Sequence, residues 1–582
     1  MIKNKFIILT LLFMISWTKT LFGADNIIIP EGSSEIIEKR GTVASNFIVT
    51  TANPYATNVG YDIIRRGGNA LDAAIASQLI LNLVEPQSSG IGGGAFIMFW
   101  DNKNKILHSY DGRETAPDSA NPYLFIDEKG EIIRRSSAII GGKSVGVPGL
   151  IRVLELAHNK HGKMQWSELF KPAINLSSKG FKLSPRLFKL LKNNKILPRL
   201  KDSSSYFYQP DGQPFPIGTT IINKPFAKTL SKISKHGSKE FYIGSLAKEI
   251  VEKVKTSAVN PGLISIDDLK SYQAISRKPI CGKYFKYTVC GPPPPSSGGI
   301  GVIQMLGILE NFNLNRTDPW SLEALKVFIE ATRLMFADRE LYIADPDFFL
   351  TPAKQLVSRE YLQKRAKLIQ NDSILKDVSP GKFRGYPLKS LSKGNSLELQ
   401  STTHISIIDN EGNAVSMTSS IEAAFGSHLM VRGFFLNNQL TDFSYKPIKE
   451  GKIVANQVES GKRPRSSMAP IIILDESNEV IALTGSAGGP SIIPLVTKSI
   501  IGLLDWSLSP QDAINLPNVL SFGSTVFLEK GTNLEKKKAK LLEMGYKVRS
   551  INFASGLHAI YKKDGKLFGG ADPRREGKVR GD

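Results

Sequence analysis

Cysteine is nearly absent from this chain: Cys281 and Cys290 are the only two in 582 residues. They stand nine positions apart with no histidine beside them, which excludes a zinc finger or ribbon. Phe285, Tyr287 and Val289 alternate between them as a strand does. The pair would close into a disulfide under oxidising conditions or remain as two small thiols, and the sequence leaves both open. Histidine is scarce too, at seven. Only His158 and His161 are close, on a lysine-rich helix expected to be exposed, so no metal and no cofactor are expected. No apolar run is long enough to span a bilayer, since the longest, Phe6 to Trp17, falls short of about 20 residues. No fixed-period repeat and no low-complexity linker occur, which excludes a solenoid. Acidic residues are outnumbered, 53 against 75 Lys and Arg, for a net charge of +22. The lysines are scattered, as in Lys160, Lys163, Lys179 and Lys182, rather than gathered with aromatics into a basic stripe. No nucleic-acid partner is therefore expected, and the charge favours solubility and anionic surroundings.

The N-terminus carries an export pattern. Lys3 and Lys5 precede the short apolar run, and the small residues Gly23-Ala24 follow it. Residues 1–24 are expected to be a signal peptide, and the protein to be exported, periplasmic or secreted.

Helical patterns cover Ala56 to Ile64, Ala70 to Leu83, Leu150 to Ala157, Ala247 to Val254, Ile300 to Asn311, residues 320–346 and Asn533 to Met544. Strand patterns cover 47–51, 96–100, 402–408, 414–421, 430–436, 470–475, 480–485, 546–552 and 557–561. The run Gly90-Ile91-Gly92-Gly93-Gly94-Ala95 has a strand after it and none before it, the wrong order for a dinucleotide fingerprint. A tightly packed turn beside a pocket is expected there. Residues 378–400 turn to Pro, Gly, Ser and Lys, the best candidate for an exposed processing segment. Helices dominate the first part and strands the second, which fits a layered α/β sandwich.

The most informative stretch runs from Ser401-Thr402-Thr403-His404 to Ser419-Ser420, two strands joined by Asn410-Glu411-Gly412-Asn413. A turn centred on Glu411 sets Thr402 opposite Ser420 and Ile405 opposite Met417, with Cβ atoms about 4.5–5.5 Å apart. Cleavage before Thr402 would leave a threonine with a free amine at the head of a core strand. That is an N-terminal nucleophile: the hydroxyl attacks and its own amine, with a pKa of about 7.7–8.0, takes the proton.

Other segments carry weaker signals. Arg113 follows a strand and suits a carboxylate. Ser466-Ser467 offer adjacent hydroxyls. Gly485-Ser486-Ala487-Gly488-Gly489 would present backbone N–H groups to an oxyanion. Asn437 to Phe443 sets Gln439 and Asp442 at a strand end.

In this order and spacing the segments resemble the γ-glutamyltranspeptidase family of N-terminal nucleophile hydrolases. The likeness runs from Arg66-Gly67-Gly68-Asn69-Ala70 through Glu85-Pro86-Gln87, Gly146-Val147-Pro148-Gly149 and Pro294-Pro295-Ser296-Ser297-Gly298-Gly299 to Gly570-Ala571-Asp572-Pro573-Arg574. It implies a four-layer αββα sandwich. It implies self-cleavage between Ser401 and Thr402 into a large subunit, 25–401, and a small subunit, 402–582. Thr402 would then take the acyl group of glutathione or another γ-glutamyl compound as an ester. Water, or an acceptor amino acid or dipeptide, would receive it. Ser420 would orient the nucleophile, and Gly488 and Gly489 would form the oxyanion hole. Arg113, Ser466 and Ser467 would hold the substrate α-carboxylate, and Gln439 and Asp442 its α-ammonium.

This chain departs from the family pattern at three places. Ser420 replaces a threonine, and Glu422 replaces an asparagine and adds a charge near the ammonium subsite. The stretch from Asp442 to Ser466 is shorter than a full lid. Glu422 is expected to face the pocket and reinforce selection for γ-glutamyl donors. The alternative is an amidase of the same fold acting on glutaryl-type groups, as the cephalosporin acylases do. Against it stands Asp442, which a substrate lacking an ammonium would be expected to leave unpaired.

Overall fold

Two antiparallel seven-stranded sheets form the centre of the molecule. The computed structural model describes residues 36–369, 373–376, 378–384, 386, 390–394 and 401–582. The expected signal peptide, 1–24, and the end of the expected processing segment, 395–400, lie outside the described residues. The first sheet, here the hairpin sheet, runs in the order Lys578–Gly581, Ile48–Thr51, Ser401–Ile408, Ala414–Glu422, Gly94–Asp101, Ile106–Gly112, Ile275–Arg277. The facing sheet runs Thr42–Ala44, Lys566–Ala571, His558–Lys563, Val480–Gly485, Ile471–Leu474, Tyr287–Gly291, Ile280–Tyr284. Each sheet thus mixes strands from before and after the Ser401–Thr402 bond.

Alternation along each strand builds the layers. Ile405, Ile407, Val415 and Met417 point outward and pack under the helices Pro54–Arg65, Ala70–Val84 and Leu150–His161. Ile408, Ala414, Met98 and Trp100 point inward against Ile472, Leu474, Leu483 and Ile560 of the facing sheet. On that sheet's outer side Val289, Ile471, Ile473 and Ala482 pack against the helices Gly298–Leu309, Leu322–Tyr342 and Ile492–Leu504. The result is the expected four-layer αββα sandwich. Helix Ala70–Val84 is buried on every side and is started by a capping box. Asn69 accepts from the backbone N–H groups of Leu71 and Asp72, and the Asp72 carboxylate accepts from that of Asn69.

The glycine run is the tight turn expected of it. A Cβ on Gly93 would lie 2.1 Å from the Ser420 carbonyl oxygen, and one on Gly92 2.2 Å from that of Phe435. Only glycine lets this turn lie against the second hairpin strand.

Three expectations need correction. Residues 430–436 are not one strand but two short ones, Met430–Val431 and Phe434–Phe435, folded back on each other. Arg432 and Gly433 both adopt left-handed backbone, with φ 45° and 89°, as a two-residue hairpin turn requires. Helix Leu322–Tyr342 stops before residue 346. His158 and His161 are half-buried rather than exposed, because they continue the apolar stripe of Leu150, Leu154 and Ala157 and leave only Asn159 and Lys160 outward. Cys281 and Cys290 are direct cross-strand partners and are joined as a disulfide. Among the described residues no helix is long and apolar enough to cross a membrane.

Replacement of Gly93 by alanine drives a methyl group into strand backbone, which cannot swing aside. We expect Gly93→Ala to lower stability by about 1–3 kcal/mol or more. Denaturant titration checks this, and an unchanged midpoint would show that the turn can move away from Ser420.

Candidate functional site

The hairpin places its hydroxyls in the expected register. Thr402 pairs with Ser420 and Ile405 with Met417, and the ladder shifts only between Ser401 and Thr402. Thr402 is 3 % exposed. Its Oγ1 donates to Ser420 Oγ at 3.3 Å. Ser420 Oγ accepts the backbone N–H of Glu422 at 2.8 Å and donates to the carbonyl oxygen of Ser401 at 2.8 Å. One hydroxyl therefore touches both the candidate nucleophile and the carbonyl of the peptide bond before it. Glu422 ends the strand in left-handed backbone, φ 78°.

Elements distant in sequence hold this strand. Ser401 Oγ donates to the carbonyl of Gln87 at 2.6 Å, and Thr403 Oγ1 to Ser89 Oγ at 2.9 Å. The Ser88 hydroxyl, 3.4 Å from that of Ser401, donates to Glu85 at 3.0 Å. Arg575 Nη1 donates to the carbonyl of Thr402 at 2.8 Å. Glu85 is fully buried, and burial pushes its carboxyl up to about 7 although Arg186 pulls it down.

Thr402, Ser420, Arg113, Glu422, Gln439, Asp442, Ser466 and Gly489 line one cleft, with Met468 and Ile492. Arg113 and Asp442 lie side by side in its wall, Nη2 to Oδ2 2.6 Å. Arg113 also donates from Nη2 to the carbonyl of Arg465 and from Nε to that of Pro464. Gln439 Nε2 donates to Asp442 at 3.2 Å, while its buried Oε1 accepts no bond. Beneath Arg113, burial raises Glu114 to about 7, with Arg113 opposing. The expectation that Asp442 is unpaired without a substrate ammonium therefore fails: Arg113, carried on the end of strand Ile106–Gly112, already faces it. Glu422 does reach the cleft, buried, and there accepts from Asn438 Nδ2 at 2.6 Å with Arg135 3.6 Å away.

Two expected residues are not in the cleft wall. Adjacent residues of an extended chain face opposite ways, so only Ser466 faces the cleft. Ser467 Oγ instead accepts from Arg339 Nη2 at 2.8 Å. The carbonyl of Ser466 accepts from the backbone and hydroxyl of Ser297, which accounts for the Pro-Pro-Ser-Ser-Gly-Gly segment. Gly488 and Gly489 adopt φ 137° and 55° and lead into helix Ile492–Leu504. Of the pair only Gly489 lines the cleft. Sequence reasoning missed Arg575, Met468 and Ile492. Arg575 carried a usable signal, since it extends the Gly570 to Arg574 segment by one residue.

A family model described as gamma-glutamyltranspeptidase matches residues 56–581. The glutathione hydrolase proenzyme of Bacillus subtilis (strain 168) is 35% identical over 554 residues, covering 93% of this chain and 92% of that protein. The acylase ACY 1 proenzyme of Pseudomonas sp. (strain V22) is 32% identical over 560 residues, covering 94% and 96%. Among solved structures, the cephalosporin acylase from Bacillus halodurans matches with a TM-score of 0.81 at 25% identity, over 96% of this chain and 99% of that one.

Glu85 generates a pH prediction. Its carboxyl lies at about 7 in the fold against an ordinary 4.5. The neutral form is thus favoured on folding, so its stabilising contribution is full below pH 4.5 and lost as pH rises through 7. At 1.36 kcal/mol per pH unit the loss is of the order of 3 kcal/mol. Glu85→Gln should therefore gain on wild type between pH 4.5 and 7.5 in urea titrations. Parallel curves for the two proteins would refute the assignment.

Proposed function

This chain belongs to the gamma-glutamyltranspeptidase family, and on that premise we propose that it is a self-processing γ-glutamyl hydrolase and transferase acting on glutathione and similar γ-glutamyl amides. The observation that carries the substrate class is the Arg113–Asp442 pair in the wall of the nucleophile cleft. An α-amino acid head carries a carboxylate and an ammonium on one carbon. Two opposite charges side by side are the complement of such a zwitterion, carboxylate to Arg113 and ammonium to Asp442. Gln439 Oε1 adds a further acceptor, and Ser466 a donor for the carboxylate. Ser467 is bonded to Arg339 outside the cleft wall and has no part in this reading.

Maturation uses the same hairpin. Thr402 Oγ1 attacks the carbonyl carbon of Ser401, the C–N bond breaks, and the hydroxyl proton ends on the freed amine. Ser420 supports this by donating to the carbonyl oxygen that takes up negative charge. Water then opens the ester, giving subunits 25–401 and 402–582. The freed amine serves as base when Thr402 attacks a γ-glutamyl amide. The acyl ester passes to water or to an acceptor amino acid or dipeptide, while the glycine turn, through Gly489 in the cleft wall, stabilises the oxyanion. The export pattern at 1–24 supports an activity outside the cytoplasm.

A second reading, an acylase for glutaryl-type groups, draws support from the same ion pair. Because Arg113 already neutralises Asp442, a donor without an ammonium leaves no bare carboxylate in the cleft.

Two outcomes test these proposals. Thr402→Ala should give one chain on a denaturing gel and no amidase activity, while Thr402→Ser should process and turn over slowly; two chains from the alanine variant would rule out Thr402 as the self-cleaving residue. The second test is the ratio of kcat/KM for γ-glutamyl over glutaryl anilides. Losing a charge-assisted bond costs about 1.5–3 kcal/mol. Asp442→Asn should accordingly lower the ratio roughly ten- to hundredfold, and Glu422→Gln should lower it less, since Asn438 and Arg135 already engage that carboxylate. A wild-type ratio below one would favour the acylase, and a ratio unmoved in Glu422→Gln would remove Glu422 from donor selection.

A further inference from the structure

A second cluster of chemistry-bearing side chains lies at the far end of the hairpin sheet. Strand Gly94–Asp101 begins at Gly94, which pairs with Ser420 beside the nucleophile, and ends at Asp101. His108 pairs with Phe99 on the neighbouring strand, so His108, Phe99 and Asp101 share one face, the side on which the helices pack. Helix Leu150–His161 crosses that face and delivers His161 as its last residue. The rings of His108 and His161 lie 4.5 Å apart by centroid. One ligand atom each from Asp101, His108 and His161 lies within 4.8 Å of the other two. The sequence could not show this, because the three residues are spread over sixty positions and meet only through the strand pairing and the helix crossing.

We propose that Asp101, His108 and His161 form a binding site for a zinc-class divalent cation. Two imidazoles and a carboxylate are a donor set that suits borderline metals such as Zn²⁺, with an open position left for water. Two hydrogen bonds from Asn104, one from its backbone and one from its side-chain N–H, orient the Asp101 carboxylate. The buried Tyr110 hydroxyl contacts His161 Nε2 at 2.6 Å, the kind of outer partner that fixes a metal-binding ring. The helix ends here, so its negative dipole end faces the cation. Lys160, with Nζ 5.6 Å from the Tyr110 ring, is the opposing charge that Asp101 and the helix end must offset. The bound ion would clip the helix end to the ends of two strands and leave the nucleophile cleft untouched.

The test is zinc titration of the full-length purified protein, read by competition with a chromophoric chelator and by the visible absorption of Co²⁺ in its place. We expect one Zn²⁺ per chain at this site and a rise in thermal midpoint on adding it. His108→Gln and His161→Gln should each weaken binding at least tenfold and abolish the thermal shift. Tyr110→Phe should weaken it less, and His236→Gln, at an exposed histidine elsewhere, should change nothing. If the histidine variants fail to fold, Asp101→Asn, at a partly exposed strand end, carries the same expectation. Zinc binding that survives these substitutions unchanged, or no binding below millimolar zinc in the unaltered protein, would overturn the proposal. Neither result bears on the γ-glutamyl reading.

Discussion

The site depends on one strand register. Because side chains alternate with a period of two, a slip of one residue in the Ser401–Ile408 strand would turn Thr402 out of the sandwich and Thr403 in. The register is fixed along the outer face of the strand. Ile405 and Ile407 must meet the outer helices, and Ser401 and Thr403 must find Gln87 and Ser89. The ladder shift between Ser401 and Thr402 then lets Ser420 reach back to the Ser401 carbonyl while staying opposite Thr402. A regular ladder would have aimed that hydroxyl at one partner rather than two.

The space between the sheets changes character along the same strands. At the Trp100 end it is apolar, with Met98 and Ile408 against Ile472 and Leu483. Toward Thr402 it becomes polar but neutral. His404 is buried, burial holds its pKa well below the usual imidazole range, and its two nitrogens engage Thr418 and Ser406. In the cleft wall formal charges come in pairs: Arg113 with Asp442, and Arg135 with Glu422. Uncompensated charge this deep would cost several kcal/mol. A charged substrate head can therefore be bound by sharing partners that the protein has already assembled.

Local chemistry was legible in the sequence and long-range meeting was not. The Asn410 to Asn413 turn and the apolar alternation identify the hairpin and its register without further help. Arg-Gly at 432–433 was an equally readable turn, overlooked because Met430, Val431, Phe434 and Phe435 look like one apolar run. The opposite facing of Ser466 and Ser467 follows from strand period alone. By contrast, no spacing rule brings Arg113 to Asp442, Arg575 to Thr402, or His108 to His161. Those contacts are made by sheet order, and each joins segments far apart in the chain.

Both sheets interleave strands from either side of the Ser401–Thr402 bond. That arrangement has a kinetic consequence. While the chain is whole, folding is unimolecular and every strand finds its neighbour at the high local concentration that a tether supplies. A cut at that bond removes the tether without removing any pairing, so the folded state persists while the route back to it becomes bimolecular. A chain cut there would therefore have to finish its topology first. The severed product would be a ratchet: durable once made, and hard to remake once its two parts have come apart.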